Sequence, residues 1–459
     1  MVDLLIKNAL VVTLDRERRI LRDGTIVVDD GRIVDVGKSD ELRRKYAAEE
    51  TVDASNKIVL PGFVDSHTHV SAEQLVRGIV PDDIPGKQWF DWTSRIYSEV
   101  KEEDEYYSSL ISFIECVQTG TTTVCDGGTV HSLAQVARAM QSIGIRGVIG
   151  KWCWDIPKEP KRMSQTTNEA LESLRASVSL NSTLPPKVKV WPMLIGGYPL
   201  RCTDELICGA KGIADRSGLG LSMHQNTVQR EVEASLEKTG KKPICHFEDL
   251  GILDQNLRLV HMIHTSDEEI ELLAKREVKI VHCNTTALRM GYGATKVGKI
   301  PEMIQKGVCV SLGCDGTNSS NHVDMTRAIY LAAGLYKDAR MDTSMIPAEM
   351  ALEMATINGA KSILQQNEIG SIEKGKRADI IMFDRRRVEW FPLFNVVNTL
   401  VYTANGNSVD TVYVEGEPVM ERGILKNVNE LEVFEKVQEL GQDLLQRAGL
   451  PLTSKWSVY

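Results

Sequence analysis

Hydrophobic and polar positions along this chain follow two textures. Residues 4–13 and 24–36 carry alternating or continuous β-branched side chains, broken by Asp30-Gly31, and predict short strands joined by turns. The same texture returns at 378–383 and 409–414, with Glu415-Gly416-Glu417-Pro418 as a turn. Between them the pattern changes. Short apolar runs at 58–64, 122–125, 147–150, 188–191, 220–223, 257–260, 278–281 and 308–313 alternate with helical periodicity, clearest at 108–118, 133–143 and 267–276. Strand–helix alternation implies right-handed crossovers and a parallel sheet. About eight such units predict an α/β fold: a (β/α)8 TIM-like barrel over 59–365. The two ends, 1–58 and 366–459, predict one small β-sandwich domain built from both termini, with a C-terminal helix. An open doubly wound sheet is the competing architecture, but no glycine-rich dinucleotide fingerprint follows the first strand.

Composition narrows the function. The 459 residues suit a large barrel with an accessory domain. A net charge of −9 disfavours a nucleic-acid footprint, which would be basic. No apolar run reaches the ~18 residues of a membrane span, and the N-terminal stretch has no signal-peptide pattern. Nine scattered cysteines without C-x-x-C spacing fit reduced thiols, so a cytoplasmic protein is expected. A small-molecule substrate and a homo-oligomeric state are expected as well.

The chemistry is carried by polar residues at predicted strand ends, where such barrels place their active sites. His67 and His69 close the first strand, two apart, so both imidazoles project to one face. Lys151, His224, His261, His282 and Asp315 follow the third, fifth, sixth, seventh and eighth strands. Core packing does not account for imidazoles at four separate strand ends. Three imidazoles and a carboxylate make a site for one divalent transition metal ion, zinc, iron or cobalt, with room for a water. The ion would lower that water's pKa, and His261 and Asp315 suit proton transfer.

The chain resembles the amidohydrolase superfamily, in its cytosine-deaminase-like, adenosylhomocysteine-deaminase and s-triazine chlorohydrolase branch. The resemblance runs through 61–69, 74–78, 120–124, His224, Val260-His261-Met262-Ile263-His264, 267–270, His282, 312–316 and 375–380. It implies that His67, His69, His224 and Asp315 bind the metal and that His261 orients water or substrate. It also implies that Gln74 and His282 face the substrate; His264 is read as structural. One position departs. The branch's deaminases carry H-x-x-E after the fifth strand, where the glutamate shuttles protons, and here the segment is His224-Gln225-Asn226-Thr227. Threonine is no general acid near neutral pH. Glu231 and Glu233, further along, read as solvated helix residues. Lys151 could hold a substrate oxygen, Thr227 borders the substrate, and Trp89, Trp92, Trp152 and Trp154 could line an apolar pocket. The missing glutamate favours hydrolysis of a urea, carbamate, thiocarbamate or amide, as in the phenylurea and thiocarbamate (molinate) hydrolases. The alternative is a deaminase or dechlorinase of an amino- or chloro-substituted triazine, purine or pyrimidine. A non-catalytic scaffold is disfavoured, because every expected ligand is present.

Overall fold

A computed structural model describes residues 1–84, 86–156, 163–452 and 454–457, excepting the side chain of residue 87. The chain ends build one hydrogen-bonded sheet of nine strands. Its order is Ile424–Leu425, Glu417–Glu421, Val409–Val414, Ile380–Asp384, Lys57–Pro61, Val2–Val12, Ile20–Asp29, Arg32–Lys38, with Ala48–Asp53 also on Val2–Val12. Three of its hairpins turn on residue pairs that both have positive φ: Asp30-Gly31, Glu415-Gly416 and Arg422-Gly423. That is the two-residue turn whose twist matches flanking strands.

A two-layer sandwich is the sequence expectation; the structure gives a β-rich domain in which one strand serves both parts. Val2–Val12 pairs with Ala48–Asp53 along Val2 to Lys7, then with Lys57–Pro61 at Leu10 and Val11. The register shift between Ile6 and Ala9, with Asn8 at φ 62°, is the bulge that lets the strand change partners. Leu4, Ile6, Val11, Ile26, Val59, Ile380 and Tyr413 then share a single apolar cluster.

The middle of the chain closes into the expected barrel. Strands one to eight begin at Phe63–Thr68, Thr121–Asp126, Arg146–Ile149, Val188–Val190, Leu221–Gln225, Leu257–His261, Lys279–His282 and Cys309–Leu312. The third resumes at Trp152–Cys153 and the fourth at Met193–Leu194, and all neighbouring pairs are parallel. The seam between strands eight and one is stitched rather than laddered. The Asp315 N–H donates to the His67 carbonyl at 2.8 Å, and the Cys314 N–H to Asp65 Oδ1 at 3.1 Å. The C-terminal helix Glu430–Ala448 packs against the barrel side. Its Leu440, Leu444 and Ala448 share a cluster with Leu75, Ile96 and Val100.

Sheet and barrel meet at Gly62, between the last residue of Lys57–Pro61 and the first of Phe63–Thr68. A Cβ at Gly62 would lie 2.0 Å from Thr122 Oγ1 on barrel strand two. Overpacking a tight interior costs about 1–3 kcal/mol. Gly62→Ala is therefore expected to lower the thermal midpoint measurably; an unchanged midpoint in differential scanning calorimetry would contradict this reading of the junction.

Candidate metal centre and active-site cleft

Strands one, five and eight deliver four donors to one point. Ligand atoms of His67, His69, His224 and Asp315 all lie within 4.8 Å of one another. The His67 and His69 rings stand nearly perpendicular at 4.8 Å, and His67 and His224 lie 4.6 Å apart. Asp315 Oδ1 is 3.6 Å from His67 Nε2 and 3.4 Å from His69 Nε2, while Oδ2 is 3.7 Å from His261 Nε2. One carboxylate thus faces the ligand set with one oxygen and His261 with the other. Local backbone pays for this aim: His261 and Asp315 sit at φ 77° and 63°, a region L-residues avoid. Gly127 is required by close approach, since a Cβ there would lie 2.4 Å from the His69 ring and 2.7 Å from that of His67.

The donors fit a cation. Both ring nitrogens of His67 are buried without a hydrogen-bond partner among the described residues, which is rare for polar atoms. Burial lowers the pKa of His67 and of His69 to about 3 and that of His224 well below its ordinary value, so these imidazoles stay neutral, the form that ligates. Burial opposes ionisation of Asp315, but the surrounding imidazoles outweigh it and hold its pKa well below the usual range.

The cluster opens on a cleft of about 250 Å³. Trp89, Trp152 and Trp154 line it as expected, and Thr227 and His261 border it. Other expected residues stand elsewhere. Gln74 is turned away, its amide oxygen accepting from Arg77 at 2.9 Å and its nitrogen 3.5 Å from Glu115. The neighbouring Glu73 enters the cleft instead, accepting from the Tyr97 hydroxyl, and burial raises it to about 8. The Lys151 ammonium donates to the carbonyls of Val130 and His131 and so ties down the loop after strand two. His282 lines a separate cavity of about 190 Å³ beside Asn284. Trp92 packs near the C-terminal helix cluster.

Glu231 is the main correction. Expected in solvent, it is buried at 6 % exposure and lines the cleft. It is the third residue of helix Gln229–Thr239, and its carboxylate reaches back to accept the Thr227 N–H at 2.6 Å and the Val228 N–H at 3.4 Å. This capping arrangement carries it over the barrel mouth. Burial raises its pKa to about 7. Glu233, two residues on, is half exposed, as expected. A signal was present in the sequence: an acidic residue at the third position of a helix that starts just past a barrel strand.

The amidohydrolase family model matches residues 58–419. The chain belongs to the amidohydrolase family. It is thereby a metal-dependent hydrolase of carbon–nitrogen bonds other than peptide bonds. A model of the imidazolonepropionase-like composite domain of bacteria also matches residues 26–48. The chain is 33% identical to a 5-methylthioadenosine/S-adenosylhomocysteine deaminase of Thermoanaerobacter pseudethanolicus, covering 97% of this chain and all of that protein. It is 31% identical to a 5'-deoxyadenosine deaminase of Methanosarcina acetivorans, over 98% of this chain and 100% of the relative. Among solved structures, an adenosine deaminase from Xanthomonas campestris with bound zinc superposes with a TM-score of 0.87 at 26% identity, covering 97% and 99% of the two chains. The fold also matches atrazine chlorohydrolase of Arthrobacter aurescens, with a TM-score of 0.87, 22% identity and 95% and 100% coverage.

His67→Ala removes one of the four clustered donors. The variant is expected to lose bound metal and turnover together, read by elemental analysis beside an activity assay. A stoichiometric metal retained at full rate would refute the assignment.

Proposed function

We propose that this chain is a zinc-dependent deaminase that releases ammonia from an aminopurine nucleoside or a similar amino-substituted heterocycle. The observation that carries the reading is the Glu231 carboxylate, held 2.6 Å from the backbone nitrogen of Thr227 in the cleft that the ligand cluster borders. A carboxyl group therefore stands beside position 227 although that residue is a threonine. The preference for linear ureas, carbamates and thiocarbamates rested on a cleft without such a group. The deaminase names of relatives at 33% and 31% identity support the same direction.

When bound, the cation supplies a Lewis acid that lowers the pKa of a water near neutrality. His67, His69, His224 and Asp315 would hold it. His261, in reach of Asp315 Oδ2, orients the attacking water and the substrate edge. Glu231 accepts one proton from the attacking water and passes it to the ring nitrogen next to the amino-bearing carbon. The second proton, from the newly added hydroxyl, goes to the amino group, so that the C–N bond breaks, a C=O bond forms and ammonia departs. The raised pKa of Glu231 suits that exchange near neutral pH. Trp152 and Trp154, inclined to each other by 62°, exclude water, and one indole face binds a flat ring.

Positioned acid–base groups typically contribute about 10²–10⁴-fold. Glu231→Gln is expected to lower kcat by that order with metal content retained. Glu231 must begin as the carboxylate, so kcat/KM rises with pH through an acid limb near or below pH 7, and the variant flattens that limb. Ammonia release from adenosine, 5'-deoxyadenosine and 5'-methylthioadenosine, run beside amine release from phenylurea, tests the substrate class. Turnover of the urea with no ammonia from any heterocycle would overturn the proposal.

A further inference from the structure

Arg201 lines the metal cleft, yet neither the ligand cluster nor the proton transfer uses it. Its guanidinium lies 4.2 Å from the centre of the Phe90 ring and 5.7 Å from that of Trp154. Among the described residues no ion pair reaches it. The cleft carboxyl of Glu231 turns one oxygen, Oε2, to the N–H groups of Thr227 and Val228. Burial disfavours the charged form and lowers its pKa. Glu231 acts on the guanidinium through space without a direct ion pair. A cation desolvated against two aromatic faces, with no hydrogen bond from its guanidinium among the described residues, has its donors available to a ligand.

Space has been cleared for it. A Cβ on Gly196 would lie 2.3 Å from Arg201 Cγ, and one on Gly197 would lie 2.3 Å from Glu231 Oε1. Gly196 also holds φ 100°, where a side chain would be strained. The Gly196-Gly197 pair thus makes room for two functional side chains on one wall of the cleft.

The aromatic residues give the separation. Trp152 stands 6.1 Å from His69 and 5.5 Å from Trp154, whose ring is inclined to it by 62°, and Trp154 adjoins Arg201. A flat ring stacked on Trp152 with its amino group toward the ligand cluster would direct a substituent past Trp154 toward Arg201. We infer that Arg201 is an anion subsite, taking an oxyanion, carboxylate or phosphate, on an arm of the heterocycle deaminated in this cleft. This rests on the deaminase reading for the ring and on Arg201 itself for the arm.

The test uses the metal-loaded enzyme with adenosine, adenosine 5'-carboxylate and adenosine 5'-phosphate, following ammonia release and, by calorimetry, binding. The wild type is expected to favour at least one charged compound over adenosine at least 10-fold in kcat/KM, chiefly through KM. The carboxylate and phosphate arms identify which oxyanion fits. Arg201→Met should bring that ratio close to one, and Arg201→Lys should restore part of it, with metal content and thermal midpoint checked for both. A wild-type ratio at or below one for both charged compounds, or a ratio unchanged in Arg201→Met, would overturn the subsite. Should Arg201→Met fail to fold, Arg201→Gln decides, because a ratio equal to wild type in a variant without the charge would overturn the subsite. Ammonia from none of the three, with calorimetry still showing an Arg201-dependent preference for a charged compound, would sink the deaminase reading and leave the subsite standing.

Discussion

The structure depends on a cluster of desolvated donors that the protein does not satisfy from within. His67 is 1 % exposed, and neither of its ring nitrogens has a hydrogen-bond partner among the described residues. Leaving such groups buried and unpaired costs about 1–3 kcal/mol each. A bound divalent ion offsets that cost, because neutral imidazoles and an ionised carboxylate are the forms it needs. The surrounding fold is arranged to keep the donors together. The Asp315 N–H to His67 carbonyl bond joins the last barrel strand to the first where the ligands project. The same stitch that closes the barrel therefore fixes the distance between two ligands. Disturbing the seam would be felt at the centre, and losing the ion would be felt in the seam.

Around this centre, backbone geometry and missing side chains matter as much as the chemistry-bearing residues. His261 and Asp315 hold positive φ, and such conformations persist only where neighbouring bonds over-determine them. Asp315 is fixed by its own N–H to His67, by Thr68 Oγ1 donating to its carbonyl at 3.0 Å, and by the Gly316 N–H on its Oδ1 at 2.7 Å. Glycine at 127 leaves the two imidazoles of strand one their rotamers, and the Gly196-Gly197 pair leaves Arg201 and Glu231 theirs.

Two carboxyls in the cleft were placed by burial rather than by motif. Glu73 and Glu231 approach from different elements, the turn after strand one and the helix after strand five. Both are pushed up by desolvation, to about 8 and about 7, so each can exchange a proton near neutrality. A threonine at position 227 therefore does not leave the cleft without an acid–base group.

The sequence by itself determined the barrel, the β-rich domain from both ends and the residues that cluster as candidate metal donors. Strand periodicity places His67, His69, His224, His261 and Asp315 at strand ends, and in a parallel barrel those ends converge. The hairpins at Asp30-Gly31 and Glu415-Gly416 were legible for a similarly local reason, since both residues of each turn need positive φ. What only the tertiary structure decided is where side chains next to those positions point. Gln74 and Glu73 are adjacent, and the short turn Glu73–Val76 sends one to Arg77 and Glu115 and the other into the cleft. Lys151 sits at a strand end but spends its charge on two loop carbonyls, and His282 at another strand end opens on a different cavity. Glu231 lies one helical turn beyond the expected position, and only the angle at which its helix leaves strand five carries it back over the site. Spacing along a strand fixes a face locally, whereas a side chain's reach across a loop or a helix start depends on packing between distant elements.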